Sequence, residues 1–416
     1  MKVYLEVYGC TANKSDASLV KGILKENNFT VVYKIDKADV LIILTCTVIN
    51  TTEQRMLSRL KKLKDAGKKI IVGGCMASIQ SDLVKSIVPD ATLLPPQYSY
   101  YIVDVINQEK TEFEEKNKTN FSKSYEDIFA PISIAEGCNF SCSYCITSKA
   151  RGKLKSYPIK DIYNDIYKAI KNGCKEIQIT SQDTSSFGID TGENLGALLT
   201  NISKINGLFR IRVGMMNPYT CLRNIDSIIN GYKSPKIYKF LHIPVQSGNN
   251  KILKKMKRKY DVEDFLEIID KFRSSYPDIT VSTDVIVGFP TETDSQFQAT
   301  IDLLKKTKPD ITNITRFSAR PYTEAKSING RIDTNIVKSR SKLLTDLCSK
   351  ISKQNNIEYI GKKYNVLITE KGKENTFVGR SENYKPVVLS GELKIGEFKS
   401  VRIKKAASTY LVGSII

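Results

Sequence analysis

The sequence predicts an α/β protein in three parts: a small N-terminal α/β domain with a parallel sheet, a central partial parallel (βα)6 barrel, and a small C-terminal antiparallel β-barrel of the OB kind. Three observations carry this. Short β-branched runs alternate with helical stretches over the first 352 residues, as crossover connections between parallel strands require. The central stretch holds six such strand–helix units, too few for a closed eightfold barrel. Beyond residue 356 the period changes to short strands joined by Gly, Asn and Pro turns.

Residues 1–108 form the first part. KVYLEVYG, ADVLIILTCTV and KKIIVGGC read as strands, separated by the helical SDASLVKGILKENN and TEQRMLSRLKKLKDAG. Each strand ends in a cysteine or is followed at once by one: Cys10, Cys46 and Cys75. Carboxyl ends of parallel strands share one edge, where ligands bind, so these thiols are expected to converge. Residues 109–127, QEKTEFEEKNKTNFSKSYED with its flanks, are polar and aperiodic and read as a linker or flexible excursion.

The barrel spans 128–352. Its candidate strands are APISIAEG, KEIQITSQ, FRIRVGMM, KFLHIPVQ, TVSTDVIVGF and DITNITRFSA. Strand ends place Ser181, Gln182, Asp183, Gln246, Ser247 and Asp284 near the barrel mouth, where polar groups can hold a ligand or cap a helix. The barrel of 356–416 is of a kind that serves as a single-stranded RNA platform, although a capping domain without a ligand reads the same way.

Composition narrows the function classes. The 416 residues include 64 basic and 44 acidic side chains, a formal charge of +20, which favours a polyanionic partner over the plainer reading of a lysine-rich solvated surface. No apolar run approaches a membrane span and the N-terminus lacks a signal-peptide core, so an intracellular, cytoplasmic protein is expected. In a reducing compartment, nine cysteines point to metal ligands or buried small side chains and not to disulfides.

Three of the nine stand together in EGCNFSCSYCITSKARG: Cys138, Cys142 and Cys145, spaced C-x₃-C-x₂-C. Structural zinc takes four protein ligands, usually as paired C-x₂-C units, and the single histidine, His242, is remote in sequence. A closed zinc site is therefore disfavoured. A four-iron cubane on three thiolates keeps one iron open to another molecule.

The spacing, with Tyr144 before the last cysteine, resembles the C-x₃-C-x-φ-C motif of the radical S-adenosylmethionine (SAM) enzymes. Together with TSQDTSSFG (180–188), LHIPVQSGNNKILKKMKR (241–258), DVIVGFPTETDSQF (284–297) and FSARPYTEA (317–325), nearly the whole chain resembles the methylthiotransferases. The CITSKARGKLKSYP loop and GMMNPY (214–219) are most similar to the archaeal and eukaryotic branch acting on N6-threonylcarbamoyladenosine in tRNA.

The resemblance implies a radical-SAM barrel between an N-terminal methylthiotransferase domain and a C-terminal TRAM domain. It implies two 4Fe-4S clusters, one on Cys138, Cys142 and Cys145 and an auxiliary one on Cys10, Cys46 and Cys75, with SAM near the six strand-end residues. The implied reaction replaces the adenine C2 hydrogen at position 37 of tRNA with a methylthio group through a 5′-deoxyadenosyl radical. No catalytic residue beyond the cluster ligands is assigned. A low-potential electron donor and an unidentified sulfur donor are further implied partners. Tyr322 departs from the family, which carries glycine there. The ending SII lacks the hydrophobic anchor of some eukaryotic relatives, so a soluble protein is expected.

Arg151 is read as a contact to substrate or RNA phosphate, or as a helix cap or surface charge. Cys174, Cys221 and Cys348 are expected to be packing residues, and His242 a satisfied core histidine or a SAM neighbour. Two other functions stay open. One is methylthiotransfer to isopentenyladenosine in tRNA or to a ribosomal-protein aspartate; the other is a non-catalytic RNA-binding protein with structural zinc.

Overall fold

The computed structural model describes residues 1–109, 112–125 and 127–416. The chain divides into two compact units, one of residues 1–172, 178–182 and 318–326, the other of residues 173–177, 183–317 and 327–416.

The first unit opens with β1 (Lys2–Val7), β2 (Thr30–Val32), β3 (Val40–Thr45), β4 (Lys69–Gly74) and β5 (Thr92–Leu94), an all-parallel sheet in the order β2-β1-β3-β4-β5. Every residue of the central strand β3, VLIILT, is buried, because helices cover both faces and neither face can be polar. Burial of each such Leu or Ile contributes about 1.5–3 kcal/mol. β2 and β5 are additions to the three strands expected from sequence. Each is only three residues long, shorter than any periodicity can mark.

Helix Thr11–Glu26 packs on one face of this sheet with Tyr100, Tyr101 and Ile102. The polar stretch read as a linker joins the same core. Phe113 and Phe121 pack into it, Phe121 stacks on Tyr100 at 5.0 Å, and Lys118 is 5% exposed. Its described residues are thus an anchored strap; Lys110, Thr111 and Glu126 lie outside the described residues. Polar text concealed the anchoring because the burial rests on two isolated aromatics and one paired lysine.

The unit continues through β6 (Phe129–Ser133), β7 (Ala135–Glu136) and β8 (Lys155–Ser156), the last two an antiparallel pair that clasps the cysteine loop between them. β9 (Glu176–Thr180) is divided between the units. In the first, Ile134 N donates to Thr180 O at 2.9 Å; in the second, Arg210 N donates to Lys175 O at 2.8 Å.

The second unit carries β10 (Arg210–Val213), β11 (Phe240–His242), β12 (Thr280–Val287) and β13 (Ile311–Arg316). β11, β12 and β13 pair in parallel. The closed barrel follows: β14 (Lys363–Lys371), β15 (Thr376–Arg380), β16 (Pro386–Ser390), β17 (Phe398–Ala406) and β18 (Leu411–Ile415), in the order β14-β15-β16-β18-β17. Closure leaves no unpaired edge, and Val366, Ile368, Leu389, Val401 and Ile403 fill the interior. Lys385 fastens the barrel within this unit, its buried ammonium donating to Asp310 at 2.6 Å and to Asn356 Oδ1 at 2.8 Å.

Among the described residues no helix is long and apolar enough to cross a membrane.

Candidate functional site

Both cysteine sets lie in the first unit. Cys46 directly follows Thr45 and Cys75 directly follows Gly74, and Thr45 and Gly74 are register partners, so the two cysteines leave adjacent strands side by side. Cys10 follows β1, the other neighbour of β3, and is the N-cap of helix Thr11–Glu26. Asn13 locks the edge: its buried side-chain amide donates to Tyr8 O at 2.7 Å and to Thr45 O at 2.9 Å. At Gly74, φ is +82° and a Cβ would lie 2.4 Å from Thr45 O, so only glycine lets β4 run this close beside β3 into Cys75.

Burial pushes the Cys75 thiol up to about 11, against the opposing charge of Arg151, and pushes Cys46 up as well, where the backbone N–H of Val48 and Thr47 oppose it. Arg151 reaches this edge, and its positive charge opposes the rise at Cys46 as well. Arg151 is 1% exposed, and its guanidinium bonds Glu136 at 2.9 Å, Asn13 Oδ1 at 2.7 Å and Asp16 at 2.7 Å. Lys118 completes a buried quartet, donating to Asp16 at 2.6 Å and Glu136 at 3.0 Å. The sequence readings of Arg151 are corrected here, since a fully buried guanidinium between two carboxylates is neither a surface charge nor available to an RNA phosphate.

A second buried network closes the other side of the edge. Arg320 donates to Thr47 Oγ1 at 2.7 Å and to Glu53, and Gln80 bonds both Thr47 and Glu53.

Cys138, Cys142 and Cys145 sit half-buried on the irregular loop between β7 and helix Thr147–Arg151. Backbone bonds shape the loop: Cys138 N to Gly152 O at 3.0 Å, Cys145 N to Cys142 O at 3.1 Å, and Ala325 N to Ser143 O at 2.8 Å. Gly137 is the pivot, with φ at +72° and a hypothetical Cβ only 1.9 Å from Lys153 O. Gly137→Ala is expected to push the loop away from Lys153 and to lower the iron bound per chain after anaerobic purification. By contrast Cys221 and Cys348 are buried within helices, and Cys174 is buried in the turn before β9.

Among the described residues no group of three Cys, His, Asp or Glu side chains is arranged to hold a metal ion. The fit to an iron–sulfur group rests instead on donor chemistry: three thiols at one sheet edge, a helix N-terminus at Cys10, and a buried Arg151 Nε–H with no acceptor among the described residues.

The strand-end residues divide between the units. In the first, Ser181 Oγ and Gln182 Oε1 are buried without a hydrogen-bond partner among the described residues, as groups awaiting a polar ligand would be. In the second, Asp183 accepts from Ser185 N and Oγ, Asn217 N and Thr220 Oγ1, which saturates its carboxylate and makes it a fastening between loops. Burial raises its pKa, and these donors oppose the rise. Ser247 is fully buried, its Oγ accepting from Asn249 N at 3.3 Å. Gln246 adopts φ +68° and bridges to β12 through both backbone groups. Asp284 on β12 accepts from Asn313 on β13 at 2.6 Å and lies 3.2 Å from His242 Nε2 on β11. His242 is thus partnered, and these three side chains form one polar row across the strands.

Asn13, Asp16, Lys118, Glu136 and Arg320 escaped the sequence reading. Each is a polar residue, Glu136 at a strand end and the others in helical or loop text, with no spacing signature of its own.

The fold and the cysteine loop define a radical SAM protein. Three family profiles match: the radical SAM superfamily over residues 132–304, the uncharacterized protein family UPF0004 over residues 2–94, and the TRAM domain over residues 358–416. The radical S-adenosylmethionine methyltransferase TsrM from Kitasatospora setae shares the fold, with a TM-score of 0.58 at 11% identity over 78% of this chain and 73% of that one. A "Probable threonylcarbamoyladenosine tRNA methylthiotransferase" of Archaeoglobus fulgidus is 43% identical across 100% of this chain and 99% of its own. More distant relatives are a ribosomal protein uS12 methylthiotransferase of Clostridioides difficile and a tRNA-2-methylthio-N(6)-dimethylallyladenosine synthase of Thermodesulfovibrio yellowstonii. Both are 32% identical across 100% of this chain, with 99% and 98% of their own lengths covered. The chain belongs to the threonylcarbamoyladenosine tRNA methylthiotransferase family.

Proposed function

We propose that this enzyme converts N6-threonylcarbamoyladenosine at position 37 of tRNA to its 2-methylthio form in the cytoplasm, using SAM and two 4Fe-4S clusters. The carrying observation is the pair of three-cysteine sets in one unit, each with the donor chemistry for a cluster that keeps an open iron. The 43% identity to an archaeal relative of that name, against 32% for relatives named for other targets, favours this substrate.

When bound, the clusters and SAM supply the radical and the sulfur site that an unactivated adenine C–H demands. The protein's residues do the holding. Cys138, Cys142 and Cys145 would ligate the SAM-binding cluster, and Cys10, Cys46 and Cys75 the auxiliary one. Ser181 Oγ and Gln182 Oε1 offer unpartnered polar atoms for SAM, and Gln246, Ser247 and Asp284 are further candidates. Asp183 would act indirectly, by holding the loops at Ser185 and Asn217 in place. Segments 1–108, 128–352 and 356–416 would serve as cluster-bearing, radical and RNA-binding parts, with 109–127 connecting them. A low-potential electron donor and a sulfur donor complete the cycle.

Iron and acid-labile sulfide per chain test this, on wild type and on a C138A/C142A/C145A variant purified without oxygen. About eight irons falling to about four are expected for two separately held cubanes. Methylthio product in tRNA nucleosides is expected from wild type alone. Zinc without sulfide would refute the reading and leave a non-catalytic RNA-binding protein.

A further inference from the structure

Arg151 occupies an unusual place between the two cysteine sets. Six residues after Cys145, it ends the helix that follows the cysteine loop, and the next residue, Gly152, accepts the backbone bond of Cys138. Its side chain crosses instead to the N-terminal sheet edge, where it bonds Asn13 and Asp16 of the helix that starts after Cys10. Asn13 holds it there, since the same amide that receives Arg151 is pinned to the carbonyls of Tyr8 and Thr45 just ahead of Cys10 and Cys46. The guanidinium cannot swing away without breaking the strand-end lock. Its Nε–H is buried and has no acceptor among the described residues, which leaves it free to donate to a group bound at this edge.

We propose that Arg151 is a positioning residue for the auxiliary site. It donates from its guanidinium to sulfur of the cluster on Cys10, Cys46 and Cys75 and raises that cluster's reduction potential. This rests on the two-cluster reading above. Hydrogen bonds and positive charge beside cluster sulfur stabilise the more negative, reduced form, so their loss lowers the potential. Because Arg151 is carried by the helix after Cys145, it also fixes the spacing between the loop of one set and the edge of the other.

The experiment uses the full-length C138A/C142A/C145A variant, which isolates the auxiliary site, and follows reduction by potentiometric titration with EPR. Adding R151M is expected to retain the iron, move the midpoint to a more negative potential and alter the EPR signal. R151K, which keeps the charge and loses the planar fork, is expected to shift it less in the same direction, and decides the matter if R151M does not fold. K118M breaks the same quartet without facing a cysteine, and is expected to lower the melting temperature but leave the midpoint in place. An unchanged midpoint in R151M or R151K at full iron content would overturn the proposal, as would an equal shift in K118M. A triple variant without any iron would overturn the two-cluster reading itself, and this inference with it.

Discussion

Cys142→Ala is expected to abolish SAM cleavage while leaving the fold and tRNA binding nearly intact. The middle thiol of the proposed three-thiolate site cannot be replaced by the chain's single histidine, His242, which is committed to Asp284. Two thiolates hold a cubane poorly, so loss of 5′-deoxyadenosine release should be complete. The fold should tolerate the change: Cys142 is half-exposed, and its carbonyl, which accepts from Cys145 N, survives in alanine. The stability cost should stay within about 0.5 kcal/mol, as at ordinary surface positions. Cys75→Ala should behave in the opposite way. It empties a fully packed position yet lies outside the cysteine loop, so deoxyadenosine release should continue while methylthio product disappears. Deoxyadenosine release, nucleoside mass spectrometry and tRNA filter binding on the two variants separate these outcomes. SAM cleavage at the wild-type rate in Cys142→Ala would remove the loop from the chemistry.

The sequence made the placement of the cysteines legible because it needed only the position of strand ends. A run such as VLIILT announces a buried parallel strand by composition alone, and the residue after it must stand at the sheet's carboxyl edge. A related signal was present but unread: Cys10, Cys75 and Cys138 each follow a glycine of positive φ, at Gly9, Gly74 and Gly137. Side-chain pairing was not legible. Nothing local marks Asp16 and Arg151 as partners 135 residues apart, or tells a buried lysine in KNKTNFSK from an exposed one. Arg151 shows the difficulty well, because an arginine next to a glycine at a helix end looks solvated until the opposing carboxylates are known. Asp183 shows the reverse case, a polar residue at a strand end whose donors all come from its own chain. At Tyr322, where the family has glycine, the backbone keeps φ at +60° and the ring is 58% exposed, so the turn is retained against the preference of its side chain.

Asp16→Ala is expected to destabilise the first unit by about 3–5 kcal/mol, the cost of leaving a buried charge without its partner. The quartet balances two cations against two anions, all with side chains at most 9% exposed. Removing Asp16 leaves Lys118 and Arg151 to share Glu136, so one positive charge stays in the interior uncompensated. Against a total stability of about 5–15 kcal/mol for a domain, that is a large fraction. The exposed pair Lys155–Glu115, with side chains 50% and 65% exposed, provides the contrast: Glu115→Ala should cost about 0–1 kcal/mol. Acidification gives the second arm. Burial alone would push the Asp16 carboxyl up, but the charges of Lys118 and Arg151 outweigh it and hold the group below its ordinary range. A carboxylate depressed in the folded state stabilises above its unfolded pKa of about 4 and loses that contribution as pH falls through the lower folded value. The stability gap between wild type and Asp16→Asn should therefore be full at neutral pH and close progressively below about pH 4. Urea denaturation of the full chain from pH 7 down to pH 3 would show this, and a gap independent of pH would mean that the ionised carboxylate of Asp16 contributes nothing to the fold.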